Sequence, residues 1–130
     1  MQKISEVFVL VEDRPGSIGD LTRIIKKKGL NILGIGVFID TARLHVDDAQ
    51  KALAVLQESG YQAELREVLR VVLPNQKGAL MELTQKLGNA GINIKYLYGT
   101  MEENQKNGVV ILEVDQLQLA QNIFKEYPKY

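Results

Sequence analysis

The sequence predicts an α+β protein built from two βαββαβ repeats, each an antiparallel sheet with its helices on one face. Three observations support this prediction: a fixed offset between similar segments, a regular alternation of strand-like and helix-like patterns, and glycines in register between the two copies. With 130 residues the chain is long enough for two domains of about 60 to 70 residues each. A hydrophobic content of 45% is sufficient for packed cores.

The internal repeat is carried by two blocks of sequence. Residues 12–32 recur as residues 74–94 at an offset of 62, and residues 44–47 recur as residues 112–115 at an offset of 68. Six additional residues therefore lie between the blocks of the second copy. The polar stretch 102–108 occupies that place, and it predicts a hairpin loop.

The same elements are predicted in each copy. Apolar runs with β-branched residues indicate strands, whereas apolar residues three or four positions apart indicate helices. The predicted strands are residues 7–11, 30–39 and 43–46 in repeat one and residues 70–73, 92–101 and 109–114 in repeat two. One helix lies between the first two strands of each repeat, and a second helix follows the third strand. Right-handed connections give this order a ferredoxin-like fold.

Glycine and aspartate mark the predicted helix ends. Gly29 and Gly91 follow the first helix of each repeat, where a left-handed residue can end a helix. Asp47 and Asp115 precede the second helices, and each has a glutamine three residues later. This spacing predicts an aspartate variant of the capping box. The last helix is expected to reach Tyr127.

We place repeat one at residues 1–67 and repeat two at residues 68–130. Residues 61–73 contain neither glycine nor proline, and we expect them to be extended throughout. Repeat two ends where its fourth strand would begin, so it should lack a full fourth strand and leave one sheet edge unpaired. We expect a homodimer to cover this edge. The alternative is that residues 2–7 fill the gap within one chain.

Composition excludes several function classes. Sixteen basic and sixteen acidic side chains cancel, which argues against nucleic acid or an anionic membrane as a partner. There is no cysteine, and His45 is the single histidine, so we find no nucleophile paired with a base and expect neither an enzyme nor a cofactor or metal. The N-terminal residues contain no apolar segment of signal-peptide length, which predicts a cytoplasmic protein.

The segments Glu-Asp-Arg-Pro-Gly-Ser-Ile (residues 12–18) and Gly-Leu-Asn-Ile (residues 29–32) resemble the signature of ACT domains. These domains are the regulatory modules of phosphoglycerate dehydrogenase, aspartate kinase and the small subunit of acetohydroxyacid synthase. The resemblance covers nearly the whole chain. The arrangement of two such domains without a catalytic domain is similar to that of stand-alone double-ACT proteins. It implies a non-catalytic module that binds an amino acid or related small carboxylate and regulates a partner enzyme of unknown identity. The alternative is a purely structural assembly module without a ligand.

The resemblance also implies which residues contact the ligand. In amino-acid-binding ACT domains the ligand lies between two modules, where the loop after strand one and the Asn-Ile start of strand two contribute to the same pocket. The matching positions in repeat one are Asp13, Arg14, Pro15, Gly16, Ser17, Ile18, Asn31 and Ile32. Those in repeat two are Asn75, Gln76, Lys77, Gly78, Ala79, Leu80, Asn93 and Ile94. This chain departs from the family at Asp13, where asparagine is frequent, and at Lys77, which replaces the usual proline.

The chemistry of these residue types suits a small zwitterion. The N-terminus of a helix offers N–H groups and partial positive charge to a carboxylate, and glycine lets the backbone approach the ligand. An asparagine amide supplies both a donor and an acceptor. The alternative remains that Gly16, Gly78, Asn31 and Asn93 serve only as turn residues.

Overall fold

The computed structural model describes residues 1–125, which contain six strands and four helices. In chain order these are β1 (Gln2–Leu10), α1 (Ser17–Lys27), β2 (Ile32–Phe38), β3 (Thr41–Val46), α2 (Ala49–Glu58), β4 (Ala63–Pro74), α3 (Ala79–Asn89), β5 (Ile94–Thr100), β6 (Asn107–Val114) and α4 (Leu117–Ile123). This order confirms the predicted tandem of ferredoxin-like repeats: β4 ends repeat one and begins repeat two, and no strand follows α4 within the described residues. The last helix was expected to reach Tyr127, but it ends at Ile123 with Phe124 as its C-cap; Tyr127 itself lies outside the described residues.

The chain divides into two compact units. The repeat-one unit comprises Ser5–Arg66, and the repeat-two unit comprises Met1–Ile4 together with the chain from Glu67 onward. Strand β4 is continuous from Ala63 to Pro74, which confirms the predicted extension from Ala63 onward, whereas Tyr61 and Gln62 precede the strand.

In the repeat-one unit the strand order is β2-β3-β1-β4. Strands β1 and β2 both run antiparallel to β3, with Val7 and Ile35 each opposite Leu44. Alternate residues of β1 and β3 face the helices, because side chains on a strand point to opposite faces in turn. The core that they form with α1 and α2 consists of Val7, Val9, Val11, Leu21, Ile25, Ala42, Leu44, Val46, Ala52, Val55 and Leu56.

In the repeat-two unit the strand order is β4-β6-β5, and the first residues of β1 lie on the free side of β4. The Lys3 ammonium is 3.6 Å from the Glu67 carboxylate, and Met1 packs against the core of this unit. The N-terminal residues thus take the place of a fourth strand, which was the alternative considered for the gap. Because β1 occupies this edge of β4, the expectation that a homodimer covers an unpaired edge there has no support.

The outer face of the repeat-one sheet contains a buried ion pair. Glu6 is fully buried, and its carboxylate accepts a hydrogen bond from the Arg43 guanidinium at 3.1 Å. Arg43 and Arg66 both lie over the Phe8 ring, at 5.3 and 3.8 Å from its centroid. Two charged groups are therefore held among strands β1, β3 and β4 by pairing and by an aromatic face.

The helices are short. The longest within residues 1–125 have 11 residues, and none in this range is long and apolar enough to cross a membrane.

Candidate ligand-binding loops

The loop between β1 and α1 ends in a left-handed glycine. Gly16 has φ of 85° and is the N-cap of α1, and its carbonyl accepts the first helical hydrogen bond from the Asp20 N–H at 2.9 Å. No side chain of the described residues caps this helix. A residue with a side chain would be strained at this φ, so glycine is required for the turn itself. The Ser17 N–H donates to the Arg14 carbonyl at 3.3 Å, so the first N–H of the helix is satisfied within the loop.

The loop between β4 and α3 repeats this geometry. Gly78 has φ of 87°, caps α3 through its backbone, and accepts a hydrogen bond from the Glu82 N–H at 2.9 Å. Ala79 is buried at the first position of α3, as Ser17 is in α1, whereas Leu80 is 42% exposed. The two helix N-termini are therefore built alike, as the 62-residue offset predicted.

Charge distinguishes the first loop. The Arg14 Nε donates to Glu12 Oε2 at 2.6 Å, and its Nη2 lies 3.8 Å from Asp20 Oδ2. The hydrogen bond from Arg14 to Glu12, helped by the charges of Glu12 and Asp20, raises the pKa of Arg14 above its ordinary value. Arg14 thus stays cationic, and two carboxylates surround it. Asp13 and Pro15 are exposed at the tip of the loop.

A single asparagine organises the second loop. Both hydrogens of the Asn75 side-chain amide are donated to backbone carbonyls, to Glu102 at 2.8 Å and to Gln105 at 2.9 Å. The Asn75 backbone N–H donates to the Lys106 carbonyl at 2.8 Å. Asn75 therefore holds the predicted hairpin loop against the β4–α3 loop, and its amide donors are already used. Gln76 and Lys77 are exposed beside it.

Asn31 and Asn93 occupy equivalent places just before β2 and β5. The Asn31 backbone N–H donates to Asp47 Oδ1 at 3.0 Å, and the Asp47 N–H donates to the Asn31 carbonyl at 3.1 Å. Asn93 and Asp115 make the same two hydrogen bonds at 2.9 and 3.1 Å. Both asparagine residues are exposed, whereas Ile32 and Ile94 are half-buried at the edges of the two cores.

The predicted capping boxes at Asp47 and Asp115 are wrong. The N-cap of α2 is Asp48, whose carboxylate accepts from the Lys51 N–H at 3.1 Å. The N-cap of α4 is Gln116, and no side chain caps that helix. The reason is that each third strand ends one residue before the aspartate, whose carboxylate then reaches sideways to the start of the neighbouring strand.

Within one repeat, the two halves of the predicted site lie far apart. Strands β1 and β2 are parallel to each other because both are antiparallel to β3. The loop ending at Gly16 follows the end of β1, whereas Asn31 precedes the start of β2, and the 11 residues of α1 separate them. A helix of that length spans about 16 Å. A pocket that uses both halves therefore needs a second module, as the resemblance implied.

An open cleft of about 450 Å³ lies beside the first loop, within the repeat-one unit. Two of the predicted residues, Arg14 and Ser17, line it. The opposite wall is the connection between α2 and β4, residues 59–62, none of which is among the site residues predicted from the sequence. The order of the strands places this connection beside the loop, because β4 begins where β1 ends. The Leu10 N–H donates to the Gln62 carbonyl at 3.0 Å.

Two ferredoxin-like units with matching left-handed glycines before α1 and α3 define the class as a tandem of small α+β modules. Residues 2–127 match the family described as the ACT domain pair, and the chain belongs to that family. No protein of curated function matches the sequence significantly.

Several solved structures share the fold. A protein from Bacteroides thetaiotaomicron superposes with a TM-score of 0.87 at 20% identity, over 95% of this chain and 88% of that chain. The regulatory subunit of aspartate kinase from Thermus flavus gives 0.69 at 18% identity, over 93% and 92% of the two chains. The corresponding subunit from Thermus thermophilus gives 0.65 at 18% identity, over 98% of each chain. At these identities the similarity establishes the fold.

Proposed function

We propose that this chain is a non-catalytic regulatory module that binds an amino acid or a related small carboxylate at an interface between modules. The observation that carries the proposal is the pair of helix N-termini that no side chain of the described residues caps, each preceded by a left-handed glycine at the same register. Such a terminus attracts a carboxylate through its N–H groups and its dipole. Membership of the ACT domain pair family supports the same conclusion.

The exposed amides of Asn31 and Asn93 supply the second half of the proposed recognition. Their backbones are fixed by Asp47 and Asp115, which leaves each side chain on the surface at a defined place. An amide there can accept from the ammonium group of an amino acid and donate to its carboxylate. The loops reach this ligand from the other side of the interface.

An apolar edge supports a homodimer as the source of the second module. Strand β2 is an edge strand of the repeat-one sheet, and it carries exposed apolar side chains, with Phe38 at 67% and Leu33 at 56% exposure. Long apolar edges invite pairing with another chain. Strands β1 and β2 end on the same side of the repeat-one sheet. If two copies pair antiparallel through β2, Asn31 of one copy therefore lies at the side of the second copy's sheet that carries its Gly16 loop.

Thermal shift across the twenty amino acids and simple 2-oxo acids tests the binding proposal. A ligand at 100 times its dissociation constant should stabilise the protein by about 2.7 kcal/mol, which is readily measured. We expect Asn93→Ala to weaken the response by roughly five- to a hundredfold, since one good hydrogen bond contributes about 1 to 3 kcal/mol.

Asn122→Ala is the matched control, because Asn122 is also exposed and lies near the end of α4, whereas Asp115, which binds Asn93, lies before the start of that helix. Equal loss in both variants would contradict the role given to Asn93. If no amino acid or 2-oxo acid binds at millimolar concentration, the binding proposal fails. The apolar β2 edge would then favour the alternative of a structural assembly module.

A further inference from the structure

The outer edge of β2 lacks the protection that exposed strand edges normally carry. Charged side chains and proline are among the usual means by which an edge strand avoids pairing with another chain. The seven residues of β2 include neither a charged residue nor a proline, and the strand ends the order of the repeat-one sheet. In repeat two the edge strand β5 carries the exposed Lys95 where β2 has Leu33, at the offset of 62. Strand β2 is therefore open to pairing, whereas β5 is protected.

The pairing of β2 with β3 divides its residues between the two faces of the sheet. Ile35 and Val37 lie opposite core residues of β3, so they belong to the face that carries the helices. Gly34, Gly36 and Phe38 belong to the outer face, because side chains along a strand alternate between faces. Phe38 is 67% exposed, and the two glycines beside it contribute no side chain to this face.

Repeat two shows that the fold accepts aromatic side chains at the places of these glycines. At the offset of 62, Tyr96 and Tyr98 of β5 correspond to Gly34 and Gly36 of β2, and both strands pair equivalently with the strand that follows them. The two tyrosine rings contact each other edge to face, with their centroids 5.5 Å apart. Strand β2 supplies no ring at either place, so an aromatic cover for its glycines has to come from another residue.

The residue after β2 is held in a conformation that costs energy. Ile39 has φ of 55°, a left-handed value that strains a β-branched side chain. Within residues 1–125 the other positive φ values belong to five glycines and to Asn104, which are residue types that adopt them readily. Ile39 is 60% exposed, so burial within its own chain does not offset the strain. Contact with a second chain would bury this side chain.

We propose that two copies of this chain pair antiparallel through β2 in the register that places Gly36 opposite Gly36. A two-fold axis at this point, perpendicular to the sheet, keeps the outer faces of both copies on one side. Phe38 of each copy then lies opposite Gly34 of the other, and its ring covers the glycine. The inference rests on the homodimer of the proposed function and adds the contacts that define its interface.

The same register pairs the other exposed apolar side chains of the edge. On the face that carries the helices, Ile35 of one copy lies opposite Val37 of the other, and the two are 41% and 45% exposed in a single chain. At each end of the pairing, Ile39 lies beside Leu33 of the other copy. Both of these residues are more than half exposed in a single chain.

The neighbouring registers cover less of this apolar surface. With Ile35 opposite Ile35, Phe38 extends beyond the two glycines of the other copy. With Val37 opposite Val37, Leu33 lies opposite Thr41 and has no apolar partner. The register centred on residue 36 is therefore the one in which every exposed apolar residue of the edge meets an apolar residue or a glycine.

Because the chain contains no cysteine, single cysteine substitutions test the register directly. In the proposed pairing the two Cα atoms of residue 36 are about 4.5 to 5.5 Å apart, within the range that a disulfide bridges. The two copies of residue 35, and likewise of residue 37, are about 8 Å apart, outside that range. With oxidised glutathione, Gly36→Cys should form a disulfide-linked dimer at least about tenfold faster than Ile35→Cys or Val37→Cys, as measured on non-reducing gels.

Substitutions without an oxidant give a second test of the same contacts. Gly34→Tyr introduces the residue that repeat two carries at this place, so the chain should fold while its own ring blocks Phe38 of the other copy. Gly34→Tyr and Phe38→Ala should each raise the dissociation constant of the dimer by at least about tenfold in sedimentation velocity. Met81→Ala is the matched control, because Met81 is 58% exposed but lies in repeat two, and it should leave the dimer unchanged.

The outcomes separate the register from the homodimer itself. Cross-linking that is fastest at residue 35 or 37, or equally fast at all three positions, would refute the register and leave the homodimer standing. A dimer in sedimentation that none of the three variants cross-links, or equal weakening by Phe38→Ala and Met81→Ala, would show that another surface pairs. A single chain at tens of micromolar would overturn the homodimer and the register together. Ligand binding is measured separately by thermal shift, so its failure is distinguishable from each of these results.

Discussion

The buried pair of Glu6 and Arg43 permits a quantitative prediction about stability. The Glu6 side chain is 0% exposed and the Arg43 side chain is 8% exposed, at an N–O distance of 3.1 Å. Replacing either member alone removes this ion pair while the other charged group stays buried, which costs about 3 to 5 kcal/mol. Small domains are stable by about 5 to 15 kcal/mol, so Glu6→Leu or Arg43→Met should remove a large part of the total.

The double variant separates pairing from packing. Because two apolar residues of similar size need no counter-ion, Glu6→Leu with Arg43→Met should lose much less than the sum of the single losses. Urea unfolding of the wild type, the two single variants and the double variant measures all four free energies of unfolding.

An exposed pair supplies the control. Lys86 and Glu82 are 48% and 58% exposed at 3.2 Å, and Glu82→Gln should change the free energy of unfolding by less than about 1 kcal/mol. Single losses at Glu6 or Arg43 no larger than this control, or a double variant that simply adds the single losses, would refute the reasoning.

Two further predictions concern the second loop and the apolar edge. Asn75→Ala removes two hydrogen bonds to the hairpin loop, so it should destabilise the fold by about 1 to 2 kcal/mol and speed amide hydrogen exchange in residues 102–106. Unchanged exchange in these residues would show that Asn75 does not hold the loop. Light scattering should give twice the chain mass of 14.6 kDa for the wild type, and Phe38→Lys should return it to one chain, since a charge on an apolar edge blocks strand pairing. A wild-type species near 14.6 kDa at tens of micromolar would rule out the dimer.

The fold was predictable from sequence because its signals are local and repeated. Period-two and helical patterns recur at a fixed offset, and glycines at the helix boundaries break the patterns where the chain must turn. Gly29 and Gly91, expected as helix stops, follow α1 and α3 with φ of 72° and 76°. A helix signal that appears twice at one spacing has little chance of arising from composition alone.

Features that depend on long-range contacts were missed. Whether Asp47 or Asp48 caps α2 depends on where β3 ends and on the hydrogen bond that the Asp47 carboxylate accepts from the Asn31 N–H before β2. The position of Gln2–Ile4 in the repeat-two unit depends on which sheet edge is free to accept a strand. Neither the cap of α2 nor the position of the N-terminal residues can be predicted from a short stretch of neighbouring residues.

The two repeats share a backbone plan but present different chemistry at their loops. In repeat two Asn75 uses its amide to hold the hairpin loop, and Ala79 contributes no polar atom. In repeat one the corresponding connection is shorter, and Arg14 and Ser17 instead face an open cleft. Since the two helix N-termini share the same backbone conformation, we expect any difference in ligand response between the repeats to come from the side chains of their loops. Equivalent substitutions in the two repeats therefore test side-chain chemistry with the local fold held constant.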